Sequence, residues 1–155
     1  MSSDKDRVQE FFNELIKQLI IMSLKGKSQI EYFGLLNAGD ELALDFDNFY
    51  SLKKEEYIFH NLLDQQQIKK LDELNEFLDE RSGGKNANFW NNVETHEDWG
   101  KVRLLARECL RLLNKQGLGI KVKFNGEKTY FDNQEVWHSH GTKTELVLKP
   151  FTELN

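Results

Sequence analysis

Two histidines near the C-terminus, His138 and His140, form the most enzyme-like feature of the sequence. Residues two apart in an extended segment point to the same side, so the two imidazoles could share one metal ion. The longer histidine motifs of metallohydrolases are absent, and no motif in the sequence indicates a cofactor. One hypothesis is therefore a small metal-dependent enzyme, in which His138 and His140 are joined by a ligand drawn from Asp132, His60, His96 or Cys109.

Acidic side chains concentrate in two stretches of the chain. The clusters comprise Asp40, Glu41, Asp45 and Asp47, and then Asp72, Glu73, Glu76, Asp79 and Glu80. Residues 1–100 carry 11 basic and 20 acidic side chains, whereas residues 101–155 carry 10 basic and 6 acidic ones. Such a field attracts basic proteins and repels nucleic acid and anionic membranes. The sequence therefore predicts that these nine carboxylates bind a basic protein, with no nucleic-acid or membrane partner.

The leading functional hypothesis is thus a non-enzymatic, acidic protein-binding module. An inhibitor or immunity-type protein that covers a basic toxin or enzyme fits this charge, because steering by opposite charge speeds association. A structural or regulatory subunit that dimerises is a further alternative, in which Phe89 and Trp90 anchor the interface. Alternatively, Phe89 and Trp90 fold back over the core as a lid. The candidate aromatic anchors for the basic partner are the residues near the acids, namely Phe46, Phe49, Tyr50 and Phe77. Of these, Phe46 is the one most expected to lie in the core instead.

Three other patterns receive a structural interpretation. An acidic spacing that begins at Asp45 places Glu56 at the twelfth position of a calcium loop, but Tyr50 stands where the sharp turn requires glycine. The basic residues Arg103, Arg107, Arg111 and Lys115 repeat every four positions and predict a solvated helix face. Cys109 lies among leucines and is expected in the core, and a lone cysteine without a targeting segment favours the reducing cytoplasm.

The helices are predicted from apolar residues at steps of three and four. One helix is expected over about residues 4–24, capped by Ser2 or Ser3. Helical spacing returns over residues 52–81, where Asp64 and Gln67 make a capping pair, and the sequence leaves open whether Leu52–Leu63 is a separate short helix or a strand. A third helix runs from about Thr95 to Gly117, and residues 82–94 between them are expected to form a mobile loop.

The strands are predicted from alternation and turn residues. Residues 28–47 alternate on both sides of Asn37-Ala38-Gly39-Asp40 and predict a first hairpin. Asn125-Gly126 predicts a second hairpin between residues 120–124 and 128–131, and residues 144–148 a last strand. The predicted strands follow one another in runs instead of alternating singly with helices, which favours an α+β class. In that class, amphipathic helices would pack on an antiparallel or mixed sheet of two hairpins and a C-terminal strand. The length of 155 residues fits a single domain over residues 1–155.

Overall fold

The computed structural model of the protein describes residues 3–33, 38–131 and 134–148, with side chains described for residues 3–30, 38–120 and 145–148. Seven α-helices precede a two-stranded antiparallel sheet in this part of the chain. Their bounds are α1 Asp4–Ser23, α2 Gly26–Phe33, α3 Ala38–Phe46, α4 Lys54–Phe59, α5 Gln65–Asp79, α6 Ala87–Asn91, α7 Glu97–Leu112, β1 Leu118–Phe131 and β2 Gln134–Leu148. A π-helical turn, Asp47–Ser51, continues α3, and a 3-10 turn, Gly84–Asn86, precedes α6.

The long N-terminal helix is the centre of the core. Ser3 caps α1 in a capping box: its hydroxyl accepts a hydrogen bond from the Asp6 amide, and the Asp6 carboxylate accepts one from the Ser3 amide. Leu15, Leu19 and Met22 are fully buried, because α7, α3 and the hairpin pack around this helix. The predicted helix and its Ser3 cap are confirmed. The helix ends at Ser23, and Gly26 already begins α2.

The helix α7 lies between α1 and α5, and its ends are tied to α5 by polar contacts. Asp64 and Gln67 form the predicted capping box at the start of α5, and the Gln67 amide nitrogen also donates to the Leu112 carbonyl of α7 at 3.0 Å. At the other end, Arg81 pairs with Asp98 at 3.0 Å. The start of α5 therefore lies near the end of α7, so the two helices run antiparallel.

The expected α+β class is wrong, and the first predicted hairpin accounts for much of the error. Residues 28–47 lie largely in α2 and α3 instead of two strands. Leu42, Phe46 and Tyr50 stand four residues apart and are buried, whereas Leu44, which the alternation paired with them, is 57% exposed. A strand would place Leu44 on the same face as these three side chains, whereas a helix places it on another side, as the exposure of Leu44 shows.

The second predicted hairpin has the wrong turn. Asn125 and Gly126 lie inside β1, which pairs with β2 from Leu118↔Leu148 to Phe131↔Gln134. The expected strand over residues 144–148 is the end of β2. The described chain is therefore mostly helical with one long two-stranded sheet, rather than a set of helices packed on a sheet of two hairpins and a further strand.

Two smaller expectations also fail. The expected loop over residues 82–94 contains the 3-10 turn and α6, and its Phe89 is buried. The expected C-cap at Gly117 lies beyond the real end of α7, where Asn114 adopts the left-handed conformation at φ 58°. Asparagine tolerates this backbone better than most residues, which explains why no glycine is needed there. Across the described residues, no helix combines the length and apolar character needed to cross a bilayer.

Candidate functional site

The first acidic cluster lies on one exposed side of α3 and on the turn that follows it. We call Asp40, Glu41, Leu44, Asp45 and Asp47 the α3 acidic face. On a helix, residues three and four positions apart are neighbours, so Asp40, Glu41 and Asp47 surround the exposed Leu44. The surface therefore combines an apolar side chain, 57% exposed, with carboxylates on either side.

The inner edge of the α3 acidic face lies against α1. The side-chain amide of Gln18 donates to the Leu42 carbonyl at 2.9 Å, and Asp45 feels the charge of Glu14 one turn earlier in α1. The two helices are therefore antiparallel at this point. Burial raises the pKa of Asp45 above its usual value, and the neighbouring charges of Glu41 and Glu14 raise it further.

The four carboxylates of the α3 acidic face form no ion pair with any cation in the part of the chain whose side chains are described. Like charges that are not compensated destabilise the folded state modestly. A surface that keeps such repulsion is a candidate for a binding function, since a cationic partner would relieve it.

The second acidic cluster comprises Asp72, Glu73, Glu76, Asp79 and Glu80, and we call it the α5 acidic cluster. Several of its carboxylates form ion pairs with the chain's own cations. Lys54 pairs with Asp72 at 3.0 Å, and the Tyr50 hydroxyl also donates to that carboxylate. Lys70 pairs with Glu73 at 2.8 Å and with Glu108 at 3.2 Å. The hydrogen bonds to Glu73 and Glu108 raise the pKa of Lys70. These contacts make the α5 acidic cluster the weaker candidate for a partner.

The remaining members of the α5 acidic cluster are exposed. Glu80 lies 3.7 Å from Arg81, and Asp79 accepts a long contact from Asn75 at 3.5 Å, whereas Glu76 lines a shallow groove of about 540 Å³ along α5. The π-helical turn links the two clusters, since it carries Asp47 and its Ser51 hydroxyl contacts Asn75 of α5 at 3.2 Å.

The predicted aromatic anchors are not the exposed residues of this surface. Phe46, Tyr50 and Phe77 are buried and Phe49 is half-buried, so the core assignment of Phe46 is confirmed. Leu44 was missed as an anchor because the alternating interpretation placed it in the core. The sequence signal for an exposed Leu44 was the acids around it. Asp40 and Glu41 lie four and three positions before it, and Asp47 lies three positions after it.

The basic stripe on α7 is not simply solvated, because Arg103 is half-buried and structural. Its guanidinium donates to the carbonyls of Leu24 and Val93 and to the Gln29 side chain at 3.1 Å. Burial lowers the pKa of Arg103, and the neighbouring charge of Arg107 adds to this. Arg107 is exposed and donates to the Ser23 carbonyl at 3.1 Å.

These arginines complete the C-terminus of α1, where the last carbonyls have no partner inside the helix. The fully buried Gln29 donates to the carbonyls of Ile21 and Met22, at 3.0 and 3.1 Å. Together with Arg103 and Arg107, it satisfies the four successive carbonyls from Ile21 to Leu24. The positive side chains also favour the negative end of the helix dipole. The spacing of the arginines gave no hint of partners about 80 residues away.

The other chemical candidates receive no support from the described residues. Within the part of the chain whose side chains are described, no three His, Cys, Asp or Glu residues gather to hold a metal ion. The backbone of His138 and His140 lies in β2, where the register shifts and leaves His140 without a partner residue in β1. Their side chains lie outside the described residues. Cys109 is buried, as expected, and burial raises the pKa of its thiol to about 12, which opposes a nucleophilic role.

The pair Phe89 and Trp90 folds over the core as the lid interpretation expects. Phe89 stacks on Trp99 with ring centroids 4.5 Å apart and planes 6° apart. The indole of Trp99 donates to the Phe89 carbonyl at 2.8 Å, and that of the half-buried Trp90 donates to the Arg81 carbonyl at 2.6 Å. Both indole N–H groups therefore have their hydrogen-bond partners inside the protein.

Asp45→Asn is expected to stabilise the protein at pH 7 by about 0.5 kcal/mol, the scale of one like-charge pair on a helix. The raised pKa means that the ionised carboxylate is less favourable in the folded chain than in the unfolded one. This cost is present at pH 7. It is lost as the pH falls through the raised pKa of the folded chain and then below the unfolded value of 3.8, where both states become protonated. Urea denaturation of wild type and variant at pH 7 and pH 3 measures the difference.

The matched control is Asp40→Asn on the same helix. Asp40 lies in the first turn of α3, where the helix dipole favours an acid, so this variant is expected to be slightly less stable at pH 7. A loss of stability in Asp45→Asn at pH 7 would contradict the repulsion described above.

No family model matches the chain, and neither a curated protein nor a solved structure shows significant similarity to it.

Proposed function

We propose that this chain is a non-enzymatic protein-binding module, and that its partner is a basic protein that docks on the α3 acidic face. The observation that carries the proposal is the exposed Leu44 among four carboxylates that no described cation neutralises. An apolar residue inside a ring of charge is a common arrangement at interfaces, because the partner excludes water around the apolar contact.

The charges and the apolar side chain have different roles in this interface. The carboxylates attract a basic surface over about 8 Å at physiological salt and speed association. Leu44 contributes buried apolar area once the partner has docked, which slows dissociation. The α5 acidic cluster adds less, since Lys54 and Lys70 already neutralise Asp72 and Glu73.

The finer proposal is that the partner is a basic enzyme or toxin, which the chain inhibits by covering its substrate-binding surface. An enzyme that acts on nucleic acid is basic for its own substrate, so an acidic surface can compete with that substrate. The buried, unreactive Cys109 is compatible with our proposal that binding takes place in the reducing cytoplasm.

The test is quantitative affinity capture from the native host with matched baits. One variant carries Asp40→Asn, Glu41→Gln, Asp45→Asn and Asp47→Asn. The control variant carries Glu73→Gln, Glu76→Gln, Asp79→Asn and Glu80→Gln, which removes the same amount of charge. We expect wild type and control to retain the same basic protein and the first variant to lose it, with binding at least about tenfold weaker in titrations with the purified partner.

Leu44→Ala adds a variant that leaves the charge unchanged. It is expected to raise the dissociation rate with little change in the association rate. Equal loss of binding in both charge variants would indicate general attraction without a site. Retention of the partner by the first variant, or capture of acidic proteins, would overturn the proposal. Inhibition is then tested by assaying the captured protein with and without the purified chain.

A further inference from the structure

A basic counterpart of the α3 acidic face lies on the exposed side of α7. Leu104 is 52% exposed there, Arg107 and Arg111 follow it at three and seven positions, and Lys101 precedes it by three. Helical spacing places these four residues on one side. Lys25, which follows α1, lines a groove of about 270 Å³ together with Arg107. We call these five residues the α7 basic face.

The four cations of the α7 basic face form no ion pair with any carboxylate in the part of the chain whose side chains are described. Arg107 is held in place by its hydrogen bond to the Ser23 carbonyl at 3.1 Å. Its charge adds to the burial that lowers the pKa of Arg103, so positive charges repel one another on this side of α7. Such repulsion is relieved when an anionic surface docks.

Two carboxylates border the α7 basic face without neutralising it. Glu108 lies one turn after Leu104 and is already paired with Lys70 at 3.2 Å. Glu97 lies one turn before Lys101, at the exposed start of the helix. The face therefore keeps an excess of positive charge around its leucine.

Gly100 lies on the same exposed side of α7, one turn before Leu104. A Cβ atom there would meet no described atom within 4 Å, so the packing of this chain does not require glycine. Glycine inside a helix is less favourable than alanine, because it loses more conformational freedom on folding. The missing side chain beside an exposed leucine allows the surface of a partner to approach the helix closely.

The α3 acidic face of a second copy of this chain has the complementary composition. One face holds Leu44 among four carboxylates, the other holds Leu104 among four cations, and each can supply the ion pairs that the other lacks. Contact between them buries both leucines and brings opposite charges together. The net charge of −5 opposes the approach of two copies only weakly, since charges more than about 8 Å apart are largely screened at physiological salt.

The two faces lie on different sides of the molecule. Both α7 and the π-helical turn that continues α3 pack on α1 and α5. Tyr50 of the turn and Cys109 of α7 are buried, and the charge of Cys109 adds to the burial and hydrogen bonding that raise the pKa of Tyr50, so the two side chains approach each other in the core. The exposed sides of α3 and α7 therefore point outward in different directions. A contact between copies is then heterologous and leaves one free face at each end.

We propose that the α7 basic face of one copy docks on the α3 acidic face of a second copy, in a weak head-to-tail contact. Leu104 packs beside Leu44, and Arg107 and Arg111 pair with carboxylates of α3. The contact goes beyond the function proposed above and does not depend on it. Where a basic partner is present, it competes with the second copy for the α3 acidic face.

The test is sedimentation of the purified full-length chain from about 10 µM to about 1 mM, at about 0.15 M salt. We expect the wild-type mass to rise with concentration beyond that of a dimer, with a dissociation constant on the order of 100 µM per contact, which suits a small interface. A wild type that stays monomeric at the highest concentration would leave the α7 basic face to another acidic protein and overturn the proposal. Growth that stops at a dimer would also overturn it, because a head-to-tail contact does not close in that way.

Two variants, each with one face neutralised, make the test specific. The first is the α3 variant described above, in which the four carboxylates become amides. The second carries Lys25→Gln, Lys101→Gln, Arg107→Gln and Arg111→Gln. Each is expected to stay monomeric alone. Their equimolar mixture is expected to form a heterodimer with about the wild-type dissociation constant and to grow no further, because only one intact pair of faces remains.

Leu44→Ala and Leu104→Ala change exposed positions and leave the charge unchanged, and each is expected to weaken the contact about fivefold. Association of either neutralised variant alone, or no association of the mixture when both are folded by circular dichroism, would contradict the proposal. If a neutralised variant does not fold, an unchanged dissociation constant in both leucine variants is the contradicting result. The second neutralised variant keeps the α3 acidic face and is expected to retain the basic partner, so failure of self-association is distinguishable from failure of the proposed function.

Discussion

Phe89→Ala is expected to lower the free energy of unfolding by about 4 kcal/mol, the usual cost of deleting a buried phenyl ring. The ring is 2% exposed, stacks on Trp99 and touches Trp90 at a centroid distance of 4.8 Å. Its loss leaves a cavity against Trp99, which the short helix α6 cannot close without losing the hydrogen bond from the Trp99 indole to the Phe89 carbonyl. Urea denaturation followed by tryptophan fluorescence measures the change.

Light scattering on the same variant separates the lid from an interface. We expect an unchanged molar mass together with the lost stability. Trp90→Phe is the matched control: it keeps an aromatic ring but removes the hydrogen bond to the Arg81 carbonyl and part of the half-buried ring system, so a smaller loss of about 1 kcal/mol is expected. A lower molar mass in Phe89→Ala with unchanged stability would contradict the lid and favour a dimer interface.

Arg103→Ala is expected to lower the free energy of unfolding by about 3 kcal/mol, because three acceptors lose their donor at once. These are the carbonyls of Leu24 and Val93 and the side chain of the fully buried Gln29. The arginine also fits against Gly26, where a Cβ atom would lie 2.7 Å from its guanidinium. The same denaturation experiment measures the loss.

Arg111→Ala is the matched control on the same helix. Arg111 is exposed, and the change is expected to alter stability by no more than about 0.5 kcal/mol. Similar effects of the two substitutions would mean that the guanidinium of Arg103 does not complete the end of α1. Arg103→Lys adds a further comparison, since an ammonium cannot reach three acceptors with the geometry of the planar fork, and an intermediate loss is expected.

The sequence was sufficient to predict elements whose signals are local. The caps at Ser3 and Asp64 are read from residues three positions apart, and the long apolar stripe of α1 repeats over five turns. At both caps a neighbouring side chain satisfies a free amide at the start of the helix, so this signal does not depend on the rest of the fold.

The sequence was insufficient where a residue type serves a distant contact. Gly39 was taken for a turn residue, yet it lies in α3, and glycine fits there because a Cβ would come within 2.6 Å of the Trp90 carbonyl. Asn125 and Gly126 carry a strong hairpin signal, but the pairing of β1 with β2 runs through them. Glycine permits both tight turns and close packing, and only the tertiary structure distinguishes the two.

The candidate site was predicted in part. The acidic residues of α3 and α5 were identified from charge alone. The ion pair of Asp72 with Lys54 joins residues 18 positions apart and is not visible in the sequence, whereas that of Glu73 with Lys70 is a local contact within α5. The exposure of Leu44 followed from the helical structure of residues 38–46, which the alternation concealed.

The completion of α1 by α7 has a consequence for synthesis on the ribosome. The last carbonyls of α1 receive their donors from residues 79 and 84 positions later in the chain. At usual translation rates of about 5–20 residues per second, the N-terminal helix waits on the order of ten seconds for Arg103 and Arg107. The apolar side chains of α1 that α7 covers stay exposed during that interval, so we expect the nascent chain to bind chaperones that shield apolar segments until α7 emerges.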